Sequence, residues 1–182
     1  MALENKLNIT DSAELAREEE RISKKKAVEL YDKGLLDSLK AGKFSALAFI
    51  HKYLFEEIYD FAGVVRDVNI AKGGFRFAPV MYLDGALQHV SDMPQSTFEE
   101  IVEKYVEMNI CHPFREGNGR TQRVFLSQLA LNAGYEMDFS NMDTDELMVA
   151  TIQAANGVDT YLKNVLREII KPIEPDFDIS MQ

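Results

Sequence analysis

Between two stretches whose apolar residues recur at helical spacing, the chain turns abruptly polar at His112-Pro113-Phe114-Arg115-Glu116-Gly117-Asn118-Gly119-Arg120-Thr121-Gln122-Arg123. Its first half is too polar and glycine-rich for a helix interior, so it must be a tight connection between two helices. Gly117 and Gly119 flank Asn118, which lets the backbone bend sharply and approach a bound group with no Cβ in the way. The helix starting near Asn118 then offers unpaired N–H groups to that bend, an arrangement suited to an anion and most often a phosphate. The charge agrees: Arg115, Arg120 and Arg123 against Glu116 leave this segment positive, in a chain of formal net charge −10.

The surrounding pattern sets the fold class. Phe44, Leu47, Ala48, His51, Leu54, Phe55 and Ile58 share one helical stripe, which predicts a helix over Phe44–Phe61 closed by Gly63. Ser96-Thr97-Phe98-Glu99 reads as a capping box opening a helix with Phe98, Ile101, Val102, Tyr105 and Val106 on one face. Further helices are expected over Pro79–Val90, Asn118–Ala133, from Asp143 onward, and over Val158–Ile170. Asp11–Lys33 is a densely charged helix, acids first and bases after, exposed at its start and docked toward its end. One segment breaks the helical period. In Val64–Phe77, Val68/Ile70 and Phe75/Phe77 alternate around Ala71-Lys72-Gly73-Gly74, the pattern of a hairpin turning on two glycines. The expected fold is all-α, six to eight helices with one small β-hairpin lying over them, since a lone hairpin cannot bury a core. Residues 1–34 form a charged regulatory or docking segment, 35–170 the main domain, and 171–182 a tail.

Composition narrows the partners. The chain has 182 residues, 46% hydrophobic and 27% charged, as a single folded domain would. Its acidity argues against a broad cationic face for nucleic acid or anionic lipid. Cys111 is the single cysteine, which excludes an intrachain disulfide and suits a reducing, cytoplasmic setting. Neither a leader pattern nor a membrane-length apolar run is present, so no membrane partner is expected.

The polar segment also carries chemistry. Arg120 and Arg123 stand i,i+3 on a helix and could straddle two successive phosphates. Glu116 opposes a triphosphate directly unless it holds a Mg²⁺ that bridges phosphate oxygens. His112 ionises near neutrality and could take a proton from a nucleophile. Each residue alone has an ordinary reading: an interhelix histidine that bonds structurally, a Gly-Asn-Gly turn, a surface Glu116–Arg120 ion pair. Together they describe nucleotide-dependent group transfer at phosphorus.

His112 through Arg123 matches the signature H-x-F-x-[D/E]-G-N-G-R-x-x-R of Fic-domain proteins, and the chain resembles that family from about Leu35 to Ile170. Ile50-His51-Lys52-Tyr53-Leu54-Phe55, Tyr59-Asp60-Phe61-Ala62-Gly63, Asn69-Ile70 and Phe75-Arg76-Phe77-Ala78 extend the likeness. The resemblance implies an all-α Fic fold with a hairpin flap, and a protein adenylyltransferase that moves AMP from Mg-ATP to a Tyr, Thr or Ser hydroxyl of a target protein, or of itself. It implies His112 as general base and Glu116 as the Mg²⁺ residue. Asn118 with the N–H groups of Gly117 and Gly119 would hold the α-phosphate, and Arg120 and Arg123 the outer phosphates. The flap around Lys72, Gly73 and Gly74 would dock the target by strand pairing, although Lys72 reads equally well as part of a solvated turn. Thr10-Asp11-Ser12-Ala13-Glu14 is a partial match to the family's inhibitory motif, which makes Glu14 a candidate to restrain Arg123; otherwise a small antitoxin-like partner does so, or nothing does. The adenine pocket is expected in the Asp143–Asn164 helices. Alternatives are a kinase-like, phosphocholine-transferring or AMP-removing relative, a domain that binds ATP without chemistry, and a purely structural helical domain.

Overall fold

A polar loop can act as a rigid site only if apolar helices fix both its ends, and the core does so. The computed structural model describes residues 1–175; the part of the expected tail from 176 to 182 lies outside the described residues. Among these there are seven helices, α1 (Ser12–Asp32), α2 (Phe44–Phe55), α3 (Val80–Asp92), α4 (Phe98–Cys111), α5 (Asn118–Asn132), α6 (Thr144–Ala155) and α7 (Thr160–Ile169). Two strand pairs accompany them, β1 (Ala71–Lys72) with β2 (Phe75–Arg76), and β3 (Tyr135–Met137) with β4 (Ile170–Pro172).

Helix α5 is the centre. Every residue from Val124 to Ala130 is buried, because α2, α4 and β3 all pack on it. Leu47, Ile50 and Leu54 of α2 and Ile101 and Met108 of α4 reach it fully buried, each burial stabilising the fold by roughly 1.5–3 kcal/mol. The site loop joins α4 to α5, so both its ends leave the best-packed part of the molecule.

Four details differ from the sequence expectations. Helix α2 ends at Phe55 rather than Phe61, because the bonds shorten into three-residue turns, with Ile58 N–H donating to the Phe55 carbonyl at 2.9 Å. Ile58, Tyr59 and Ala62 still point inward through those turns. Helix α1 is docked along its whole length: Leu15, Ile22 and Leu30 join the core, and the gaps in that stripe hold the buried Glu19 and Ser23. The α4 capping box lies one residue later than expected. Thr97 Oγ1 accepts from Glu100 N–H at 3.2 Å, and Glu100 Oε2 accepts from the Thr97 and Ser96 N–H groups. Finally, Ile170, expected to end the last helix, and Lys171 and Pro172, expected in the tail, form an antiparallel strand, Met137 facing Ile170 and Tyr135 facing Pro172.

The hairpin is short and exposed. Gly73 and Gly74 have φ of 56° and 81°, the two positive values a two-residue turn of this twist needs. No helix of the described residues is long and apolar enough to cross a membrane. Thr97→Ala should lower stability by about 1 kcal/mol, whereas Ser96→Ala should change it little; urea unfolding of the two variants identifies which residue caps α4.

Candidate active site

The loop is shaped from within by its own residues. Asn118 is buried, and its side-chain amide closes on the backbone of Phe114: Phe114 N–H donates to Oδ1 at 2.9 Å, and Nδ2 donates to the Phe114 carbonyl at 2.7 Å. Phe114 is fully buried and stacks on the His51 ring at 3.8 Å between centroids. His51 in turn holds the far side of the bend. Its Nδ1 accepts from Gly63 N–H at 2.8 Å, so Nε2 carries the proton and donates to the Glu116 carbonyl at 2.8 Å. Gly117 takes φ 78°, and a Cβ there would stand 2.5 Å from the Phe55 ring, so the close approach requires glycine. No side chain caps the start of α5, which leaves its first N–H groups for a ligand.

Beside this bend lies a cavity of about 490 Å³, walled by His112, Glu116, Asn118, Gly119 and Arg123, by Lys72, Phe75 and Phe77 of the flap segment, and by Leu147, Met148, Thr151 and Ile152 of α6. It therefore has a cationic floor, an apolar wall and a strand at its mouth.

His112 caps α4 with φ 45°, a left-handed conformation that costs a non-glycine residue energy and survives only where its surroundings enforce it. Its ring stacks on Phe77 at 3.7 Å and 12°. Nδ1 is buried without a hydrogen-bond partner, so Nε2 is the ring nitrogen left to serve the cavity. Burial, with help from Lys72 and Arg66, pushes the His112 pKa down to about 4, and burial does the same for His51. Both rings are neutral at physiological pH.

The two arginines part company. Arg123 walls the cavity, has its pKa lowered by burial while remaining charged, and pairs with no carboxylate among the described residues. Arg120 turns to α1 instead: Nη1 stands 3.2 Å from Glu19 Oε1 and donates to Ser23 Oγ at 3.0 Å. Three residues advance a helix by about 60° short of a full turn, enough to send Arg120 behind the loop. Glu19 also accepts from Tyr59 OH at 2.6 Å, and burial raises its pKa. Glu14, by contrast, is exposed in the first turn of α1, where its N–H is capped by Asp11. The acid of α1 that meets a motif arginine is thus Glu19, on Arg120. Asn118 spends both polar ends of its amide on the loop, so its service to an anion goes through loop shape. Lys72, Gly73 and Gly74 stand exposed at the flap tip.

Glu116 is exposed at the cavity, with Oε1 accepting from Gly117 N–H at 3.0 Å. No group of three or more metal-ligating side chains exists among the described residues. One carboxylate beside a phosphate seat is the donor set that suits Mg²⁺, which keeps its waters and takes phosphate oxygens, so these residues fit the ion.

Sequence reasoning passed over His51, Arg66 and Phe77. His51 was visible as the one titratable residue on an apolar stripe. Arg66 carries no pattern of its own and Phe77 reads only as part of the hairpin alternation, since their partners are backbone carbonyls and a ring distant in sequence.

Fold and site together define an all-α domain with an anion loop, a histidine and a strand-bearing flap. Residues 43–130 match the Fic/DOC family. A probable protein adenylyltransferase, y4lH, of Sinorhizobium fredii is 31% identical over 180 residues, covering 92% of this chain and 91% of its own. The protein adenylyltransferase VbhT of Bartonella schoenbuchensis is 32% identical over 90% of this chain, which spans only 36% of that relative's length. The type IV secretion system effector protein BepA superposes with a TM-score of 0.82 at 26% identity, covering 94% of this chain and 66% of its own. The N-terminal Fic domain of a putative cell filamentation protein from Bartonella quintana, with ADP bound, gives 0.77 at 25% identity over 94% and 91% of the two chains. The chain belongs to the Fic/DOC family.

With folded-state pKa values near 4 against 6.5 for free imidazole, His51 and His112 stay neutral while the unfolded chain takes up protons. Their stability contribution is complete above pH 6.5 and is lost as pH falls toward 4. In urea unfolding over that window, His112→Ala should show a shallower loss than the parent protein; equal slopes would mean His112 is solvated like a free imidazole.

Proposed function

We propose that this chain is a protein adenylyltransferase, moving AMP from Mg-ATP to a hydroxyl side chain of a protein target. The observation that carries the reading is the sharing of one cavity by a neutral imidazole, an uncapped helix N-terminus and an arginine without a carboxylate. An anion at the helix start sits within reach of both the base and the flap.

In this reading the target hydroxyl oxygen attacks the α-phosphorus and His112 Nε2 takes the hydroxyl proton. The bond from the α-phosphorus to the bridging oxygen breaks, and pyrophosphate leaves with that electron pair. A pKa lowered to about 4 keeps Nε2 unprotonated, at the expense of basic strength, and the neighbouring phosphates would raise it once nucleotide is bound. The N–H groups at the start of α5 hold the α-phosphate and Arg123 the outer phosphates. Arg120 lends positive potential from behind the loop while bound to Glu19. Glu116 would hold the Mg²⁺, and the ion would supply positive charge to offset that of the phosphates. The apolar wall of α6, with Leu147 and Met148, seats the base. The flap edge, β1 and β2, pairs with an extended segment of the target. Arg123 finds no acid among the described residues, which favours restraint by a separate acidic inhibitor, or none, over restraint by Glu14.

The test uses ATP labelled on the α- or the γ-phosphate, Mg²⁺, and a cell lysate, with His112→Ala alongside. Label transferred from α alone, and reduced at least about 1,000-fold in the variant, is the expected result. Label from γ would mean kinase chemistry, and ATP binding without covalent label would mean a sensor; either overturns the reading.

A further inference from the structure

The guanidinium of Arg66 lies buried, 4% exposed, between the flap and the end of α4, and it has no carboxylate partner among the described residues. A buried cation so placed must be satisfied by dipoles or it would be expelled. It is satisfied by four carbonyls. Nε donates to His112 O at 2.7 Å, Nη2 to Cys111 O at 3.0 Å and Ala78 O at 2.6 Å, and Nη1 to Val68 O at 2.7 Å. Its own N–H donates to Pro113 O at 2.8 Å.

These acceptors fall into two groups. Cys111 and His112 are the last residues of α4 and its cap, where helix carbonyls collect negative potential that a cation offsets. Val68 and Ala78 are the two legs of the flap, one before β1 and one after β2. The leg that carries Ala78 also carries Phe77, whose ring lies on the His112 imidazole. We propose that Arg66 is a positioning residue that locks the flap to the backbone of His112, so that the target segment and the imidazole are held in one frame.

The chemistry of the side chain fits. Three nitrogens in one plane point in diverging directions, and only a guanidinium reaches both flap legs and the helix end together. The left-handed φ of His112 adds the need, because such a conformation relaxes unless something holds the carbonyl that follows it. Removing the fork would free the ring to turn away from Phe77 while leaving the anion loop intact, since that loop is held by His51 and Asn118.

The proposal rests on AMP transfer for its kinetic arm only. Initial rates of α-label incorporation into lysate protein are measured against ATP concentration for the parent, Arg66→Met and Arg66→Lys. The maximal rate should fall about 100-fold in Arg66→Met, with the apparent KM for ATP changed less than about threefold, and Arg66→Lys should recover folding but under about one tenth of the rate. The second arm needs no substrate. The chain has three histidines, His51, His89 and His112, and the His112 ring protons should resonate upfield of the exposed His89 because of Phe77. In Arg66→Lys, and in Arg66→Met if it folds, that upfield shift should shrink while His51 keeps its signals. A Lys variant with parental rate, a rate and ATP KM that worsen together with melting temperature, or an unmoved His112 resonance would each overturn the proposal. If the parent itself transfers no α-label, the adenylyltransferase reading fails, and the resonance arm still decides the role of Arg66.

Discussion

Two hydrogen bonds from one buried amide, Asn118 to the backbone N–H and carbonyl of Phe114, hold the site together. They close the loop into a ring, and the fully buried Phe114 pins that ring to the core. Each bond contributes on the order of 1 kcal/mol, but leaving the same buried groups unpaired would cost up to about 3 kcal/mol. The loop therefore has one conformation rather than many. With it fixed, the start of α5 stays uncapped, Gly117 fits against Phe55, and the Glu116 carboxylate stands at the cavity rim.

Around that ring the protein arranges charge against its own average. The chain is acidic overall, yet its cavity floor carries Arg123, Arg115 and a helix N-terminus, with Lys72 at the mouth. A concave site of opposite sign to its surroundings concentrates anions. Two acids line the cavity, Glu116 of the loop and Asp145 of α6, and a third nearby is turned away from it. Glu19 is spent on Tyr59 and Arg120 behind the helix, where burial raises its pKa. Glu116 stays at the rim, where in the proposed function it would hold a cation between itself and a phosphate.

The imidazole is ruled by packing more than by hydrogen bonds. Phe77 lies on one face of His112, α4 closes over Nδ1, and the backbone is held in a strained basin. Such a ring has little freedom and a depressed pKa, both of which suit the proposed role of a base that must be neutral before the reaction starts. The flap supplies Phe77 and is itself only two residues per strand. Its rigidity comes from its legs, through Arg66 and the bond from Ala78 N–H to the Ile110 carbonyl.

Much of this was legible in the residues alone. Helical periodicity is a local property, so α1, α3, α4, α5 and α7 could be read to within a few residues, α2 and α6 at their starts, and the glycine pair marked the hairpin turn. The run from His112 to Arg123 carried the family resemblance, because a motif confined to one short segment can be read without knowing the rest of the fold. Tertiary structure decided what depends on distant partners. It ended α2 early by turning Ile58 and Tyr59 inward, paired Tyr135–Met137 with Ile170–Pro172, and docked one face of α1 on the core along its length. It also sent Arg120 to Glu19 while Arg123 faced the cavity, and brought His51, Arg66 and Phe77 to the loop. Those contacts join elements far apart in the chain, and the free energy of each arises only when packing brings the partners together.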